Sequence, residues 1–155
     1  MTGFGRSGEF FAAHVEEVYP DLVALAKGLT GGYLPLAATL CTEEIYQAFL
    51  NTADEDRAFY YGHSYCGNPL GCAVALASLE LFEKENTLSR VKQLIPILKQ
   101  GLKSLAEMPF VKEVRQAGLI SGIELCHPDG SNINPLQALG TQVCLTAREL
   151  SLIHI

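Results

Sequence analysis

Residues Pro20–Leu40 read "PDLVALAKGLTGGYLPLAATL". Leu22-Val-Ala-Leu-Ala26 is a short continuous apolar run, entered through Pro20-Asp21 and left through glycines. Such a run predicts a fully buried strand of the parallel kind found inside α/β sheets. Leu34 to Cys41 is a second run of this type, with Pro35 near its start. Between the two lies Lys27, followed by Gly28-Leu-Thr-Gly-Gly32. The plain reading is a strand-end lysine whose stem packs while its ammonium reaches water. The flanks add a second reading. Apolar residues on one side and glycines on the other predict a partly desolvated amine, and desolvation favours the neutral, nucleophilic form. The carboxyl end of a strand is where α/β proteins place ligands, and a neutral lysine there can form a Schiff base. The glycines would let a flat ligand approach the backbone. A P-loop is excluded, because its lysine follows the glycines and precedes Ser or Thr.

A second constellation is Tyr60-Tyr-Gly-His-Ser-Tyr-Cys-Gly-Asn68. Asn68-Pro69 is a helix start, with Asn as N-cap and Pro at the first helical position. A Gly-x-Ser segment leading into a helix can offer backbone N–H groups and a hydroxyl to a phosphate. The alternative is an aromatic-rich loop packed on the core. Gly62-His-Ser64 is not a serine-hydrolase elbow, since Cys66 stands where the last glycine of G-x-S-x-G belongs.

Working outward, the opening Gly3-Phe-Gly-Arg-Ser-Gly8 fits G-x-G-x-x-G. That fingerprint requires a preceding strand, a following helix and an acid after a second strand. Here only Met1 and Thr2 precede Gly3, and Asp21 precedes an apolar run. A plain glycine turn is expected, with a nicotinamide-dependent reductase as the rival. Thr42-Glu43-Glu44 caps a helix expected to reach about Leu50, with Asp54–Arg57 as loop. Leu70 to Glu83 is apolar nearly all round, which predicts a buried helix. Thr87 starts another, with Leu88, Val91, Leu94, Ile95, Leu98, Leu102 and Leu105 on one stripe and a kink expected at Pro96. Val111–Arg115 and Leu119–Leu125 are expected as strands, Asp129–Pro135 as loop and Leu136–Leu150 as helix. The change of pattern sets a domain boundary around residue 88.

The chain has 155 residues and 48% hydrophobic residues, enough for a real core. Its formal charge of −6 argues against nucleic acid or an anionic membrane surface as partner. No run approaches the roughly 18 apolar residues of a membrane span. Five cysteines without a C-x-x-C pair fit reduced thiols in the cytoplasm. His63, Cys66 and Cys72 match no common zinc spacing, and Cys72 is expected to pack in its helix, so no metal is expected. The turn at the beginning and the apolar "LSLIHI" at the end suggest a fragment of a longer protein.

Taken together, "TGFGRSG" at Thr2–Gly8, the Lys27 stretch and "GHSYCGNPLGCAVALASLELFE" at Gly62–Glu83 resemble the class III pyridoxal-phosphate aminotransferases. "VKEVRQAGLISGIEL" at Val111–Leu125 resembles the hairpin that enters their C-terminal small domain. The resemblance implies an α/β architecture of fold-type I. Residues 1–87 would end the large mixed-sheet domain that binds the cofactor, and 88–155 would begin the α+β small domain. Lys27 would bond to pyridoxal 5'-phosphate and move the proton at the substrate carbon. Ser64 and the His63 backbone would reach the cofactor phosphate of the neighbouring subunit in a homodimer, and Gly62 would contact substrate. The partners implied are a small-molecule amino donor and a keto acceptor. Within the class the segments look most like members that aminate 8-amino-7-oxononanoate in biotin biosynthesis. Ornithine and 4-aminobutyrate types are the alternative, as is a non-catalytic remnant that binds a cofactor or partner. The family's aspartate on the pyridine nitrogen would lie before Met1, so the isolated chain is expected to be inactive.

Overall fold

The first structural decision is made at Phe4. A computed structural model describes residues 3–50, 57–134 and 137–150. It divides into two compact units, Met1–Gln93 and Leu94–Ile155. In the first unit the opening glycine segment folds back on itself. Gly5 N–H donates to Phe10 O at 3.0 Å and Ala12 N–H to Gly3 O at 2.9 Å, so Phe4 is bridged to Phe11. Gly5 (φ 82°) and Gly8 (φ 96°) occupy the left-handed region where a Cβ is penalised. A short 3-10 helix, Ala12–Glu16, follows. The G-x-G-x-x-G match therefore forms a closed turn, not the strand-turn-helix that a dinucleotide needs.

Phe4 is 9% exposed and heads an aromatic cluster. Its ring centroid lies 4.8 Å from Phe10 and 5.4 Å from Phe82, both edge-to-face, the arrangement that aromatic quadrupoles favour. Glycines make this packing possible. A Cβ on Gly28 would sit 3.1 to 3.3 Å from three Phe4 atoms, and one on Gly5 would sit 3.0 Å from Phe82.

Strand β1 (Leu22–Ala26) and strand β2 (Ala37–Cys41) pair with Leu22 opposite Cys41 and Ala26 opposite Ala37. The pair is antiparallel, which corrects the expected parallel arrangement. The reason is the connection: residues 27–36 are fewer than the dozen or more that a parallel crossover requires. The strands are also not fully buried. Residues of β1 alternate between exposed and half-buried, and Leu22 is 58% exposed. A continuous apolar run announces cover on both faces, whichever way its neighbour runs; the described residues cover β1 only in part.

Helix α1 (Glu43–Ala48) starts after Thr42 with Glu43 and Glu44 in its first turn, and ends short of Leu50. Residues 54–56 of the expected loop lie outside the described residues. Helix α2 (Pro69–Lys84) begins as expected. The Asn68 side chain accepts from Leu70 N–H at 3.0 Å and Pro69 takes the first position, where its missing N–H costs nothing. The expected burial of α2 is corrected: only Gly71 and Ala75 are buried, and Leu70 is 70% exposed. The helix is apolar on more faces than this unit covers. Its packed face meets Leu36, 3.3 Å from the place of a Cβ on Gly71. Cys72 is exposed, not packed, on the part of the helix that this unit leaves uncovered.

Helix α3 (Thr87–Ala106) continues through Pro96, and the division between units falls within it. Along it, Leu102 is buried and Leu88, Val91, Ile95, Leu98 and Leu105 are half-buried, while Leu94 is exposed. In the second unit, β3 (Val111–Ala117) and β4 (Ile120–Leu125) form an antiparallel hairpin, closed through Gly118 at φ 62°. The Gln116 amide donates to Ile95 O at 3.0 Å, tying the hairpin to α3. Helix α4 spans Leu139–Glu149, and Ala138 with φ 48° marks its start, later than the expected Leu136. Pro135 and Leu136 lie outside the described residues.

Gly28→Ala should destabilise the full-length protein by about 1–3 kcal/mol, because Phe4 is held on its other sides and cannot yield. Gly101→Ala, in open space on α3, should stabilise by about 0.5–1 kcal/mol. Chemical denaturation midpoints check both. A third expectation concerns the hairpin. Lys112 Nζ meets Glu124 at 2.9 Å; the hydrogen bond and the opposite charge raise the lysine's pKa and lower the glutamate's. A lowered carboxylate pKa contributes stability that is lost as pH falls through the folded value. A raised lysine pKa contributes stability that is lost as pH rises through its folded value. Both groups are exposed, so the effect is small. Glu124→Gln should flatten the acid limb of hairpin protection in amide exchange, corrected for intrinsic rates, and leave the neutral plateau nearly unchanged.

Candidate active site

The polypeptide changes direction sharply at Lys27. Ala26 is extended (φ −156°, ψ −173°), and Lys27 then turns to φ 46°, opening a 3-10 helix over Lys27–Thr30. A left-handed conformation in a residue with a Cβ costs about 1–2 kcal/mol and persists only where the surroundings enforce it. Here the enforcement is visible. Gly32 N–H donates to Lys27 O at 2.9 Å and Gly31 N–H to Gly28 O at 3.1 Å. Gly31 (φ 61°) and Gly32 (φ 83°) supply the backbone freedom that closes the turn. The glycines expected to admit a flat ligand thus serve the turn first, and Gly32 also leaves open space where a Cβ would be.

Thr30 anchors the turn and is 1% exposed. Its hydroxyl donates to Leu34 O at 2.7 Å, with Lys27 O at 3.3 Å as the second, weaker acceptor. One buried hydroxyl therefore ties both ends of the Lys27–Leu34 loop. Leu29, 9% exposed, packs beside it, and α2 lies against the same turn. Lys27 itself is exposed. That corrects the expected partial desolvation: the described residues leave this strand end uncovered.

The second constellation precedes α2. Its aromatic residues are exposed, with Tyr60 at 82%, so the alternative of a loop packed on the core is not met. The rings instead continue a surface row, Phe49 to Phe59 at 5.4 Å and Phe59 to Tyr61 at 6.0 Å. The loop is organised by local bonds. The Tyr65 N–H donates to His63 Nδ1 at 3.1 Å, the His63 N–H to Cys66 Sγ at 3.3 Å, and the Cys66 N–H to His63 O at 2.9 Å. The His63 ring is thus engaged by its own loop, and its N–H is held only by a weak sulfur acceptor. Ser64 is exposed, and Gly62 leaves open space where a Cβ would be.

Lys27 and the Gly62–Ser64 segment belong to the same unit, at different ends of what α2 organises: its flank packs on the lysine turn, and its N-terminus leads out of the loop. The residues that hold the lysine, Thr30 and Phe4, were not singled out by the sequence reading. The available signal was a threonine amid four nearby glycine and leucine positions, a place where a polar side chain has little to do except bond backbone.

Comparisons with known proteins give the family. The sequence matches the family described as "Aminotransferase class-III" over residues 1–154. It is 48% identical over 150 residues to the adenosylmethionine-8-amino-7-oxononanoate aminotransferase of Geobacter sulfurreducens, covering 95% of this chain and 33% of that protein. The fold is similar to the crystal structure of the enzyme of that name from Methanocaldococcus jannaschii, with TM-score 0.81 at 44% identity over 92% of this chain and 34% of that one. It is also similar to an (S)-enantioselective omega-transaminase from Thermomicrobium roseum, with TM-score 0.83 at 36% identity over 96% and 33%. The chain spans about a third of the length of the relatives it matches. The family match over residues 1–154 and the likeness in sequence and fold make one assignment: the chain belongs to the class-III aminotransferases.

Proposed function

We propose that this chain is the lysine-bearing part of an enzyme that transfers an amino group from a small-molecule donor to the ketone of 8-amino-7-oxononanoate, a step of biotin biosynthesis, with pyridoxal phosphate as cofactor. The observation that carries the reading is Lys27 at the end of β1, held at φ 46° in a turn closed by Thr30 and two glycines. The relatives' names and 48% identity support the substrate. Likeness to an omega-transaminase supports a second reading, in which the acceptor is a different ω-amino or keto compound.

The residues present fit the cofactor by the chemistry of their donors. Lys27 offers a primary amine to an aldehyde. Ser64 offers a hydroxyl and the loop offers backbone N–H groups to a phosphate. Open space at Gly62 leaves room for a substrate beside them. When bound, pyridoxal phosphate supplies the aldehyde that receives the amine and the ring that withdraws electrons. Lys27 Nζ would hold the cofactor through that aldehyde, and as a free amine it would take a proton from the donor's amine-bearing carbon and return it. Ser64 and the His63 N–H bind and orient phosphate. Their exposure suits a site shared between two copies, so the reading includes a homodimer in which this loop serves the partner's cofactor. We assign 1–87 to the cofactor-binding large domain and 88–155 to the small domain. No helix among the described residues is long and apolar enough to cross a membrane, and all five cysteines are free thiols, which supports the cytoplasm.

In the full-length enzyme, Lys27→Ala should abolish the visible absorbance of lysine-bound cofactor and cut turnover by about 10²–10⁴-fold, the scale of losing a positioned acid–base group. Retained absorbance and turnover would sink the reading. Ser64→Ala should weaken cofactor retention about ten- to a hundredfold, the worth of one bond to a charged group, as read by equilibrium dialysis. Comparing 8-amino-7-oxononanoate with ornithine and 4-aminobutyrate as amino-group partners separates the two substrate readings.

A further inference from the structure

We propose that Thr30 is a positioning residue for Lys27: its buried hydroxyl holds the lysine turn in the left-handed conformation that aims the amine. The proposal rests on the reading of Lys27 as the cofactor-bonding lysine. Four observations carry it. Lys27 adopts φ 46°, a conformation that a residue with a Cβ leaves unless it is restrained. Thr30 is the polar residue buried most completely among those described, at 1% exposure. Its Oγ1 lies 2.7 Å from Leu34 O and 3.3 Å from Lys27 O, so the one hydroxyl spans the loop from the lysine to the segment entering β2. Last, the remaining restraints act on backbone that has no side chain to hold it: Gly28 is pressed by Phe4, and Gly31 and Gly32 close the turn.

The consequence is geometric. Without the hydroxyl, the Leu34 carbonyl loses a buried donor and the Lys27 carbonyl keeps the turn's own backbone N–H donors, Gly31 and Gly32. The turn is then free to release its strain by rotating Lys27 toward negative φ, which swings the side chain by ångströms. Misplacement of a catalytic group by about 1 Å can cost on the order of a hundredfold in rate. A valine at this position conserves shape and burial, so it isolates the hydroxyl. Serine keeps the hydroxyl and drops the methyl.

The test uses the full-length enzyme as Thr30→Val, Thr30→Ser and Lys27→Ala. Two quantities are read: the rate at which cofactor-free enzyme develops the lysine-dependent visible absorbance on mixing with pyridoxal phosphate, and kcat and KM with the primary deuterium isotope effect at the donor carbon. Thr30→Val should slow absorbance development about tenfold or more and lower kcat about 10–100-fold. KM should stay within about threefold, and the isotope effect should rise as proton transfer by the misaimed lysine becomes limiting. Thr30→Ser should return both rates to within about threefold of the parent. The proposal is overturned if Thr30→Val leaves both rates within about twofold, or if Thr30→Ser is as impaired as Thr30→Val. If Thr30→Val does not fold, Thr30→Ala takes its place. Failure of both to fold overturns the proposal, since Thr30 is then a residue of folding, not of aim. Absorbance and turnover that survive Lys27→Ala would defeat the underlying reading instead, whatever the Thr30 variants do.

Discussion

The Phe4 side chain stands 3.1 to 3.3 Å from the place of a Cβ at residue 28, so a side chain there would have to push it aside. This close approach is the constraint on which the first unit depends. It fixes the opening turn against the residue after Lys27, and through Phe82 it fixes both to α2. Three stretches distant in sequence are joined by one edge-to-face cluster, with glycines wherever a ring must approach backbone. The cluster is apolar and needs no exact hydrogen-bond geometry, so it tolerates the strained turn beside it. Aromatic burial supplies a stable base, and the cost of a left-handed lysine is of the order of one such packing contact.

On that base the polar groups decide detail. Thr30 sets the loop from within, and the Asn68 cap sets where α2 begins and therefore where the Tyr60–Asn68 loop ends. Short-range bonds around His63 and Cys66 help to hold the loop. The lysine stands at the head of a turn tied by buried bonds, whereas the Gly62–Ser64 segment is exposed.

Local structure was legible where a single residue has a single physical use. Asn68-Pro69 reads as a helix start, and Lys27 reads as the end of a strand, both as the structure has them. The apolar runs of β1 and β2 predict a parallel pair, whereas their short connection, residues 27–36, permits only an antiparallel one. Burial was the largest misreading. Hydropathy tells which faces a complete fold would cover, and this chain spans about a third of its relatives' length. So α2 and β1 keep apolar surface exposed among the described residues. Thr30 was missed because nothing in a lone threonine's letter reports that its hydroxyl is buried; only the turn around it does.

On the proposed function, Lys27 and no other lysine bonds the cofactor. Reduction of the full-length enzyme loaded with pyridoxal phosphate by borohydride makes that bond permanent, and peptide mapping by mass spectrometry then locates it. The account predicts a pyridoxyl group on Lys27, in the peptide that contains Gly28-Leu-Thr-Gly-Gly32. Stoichiometric label on any other lysine, with Lys27 unmodified, would contradict it.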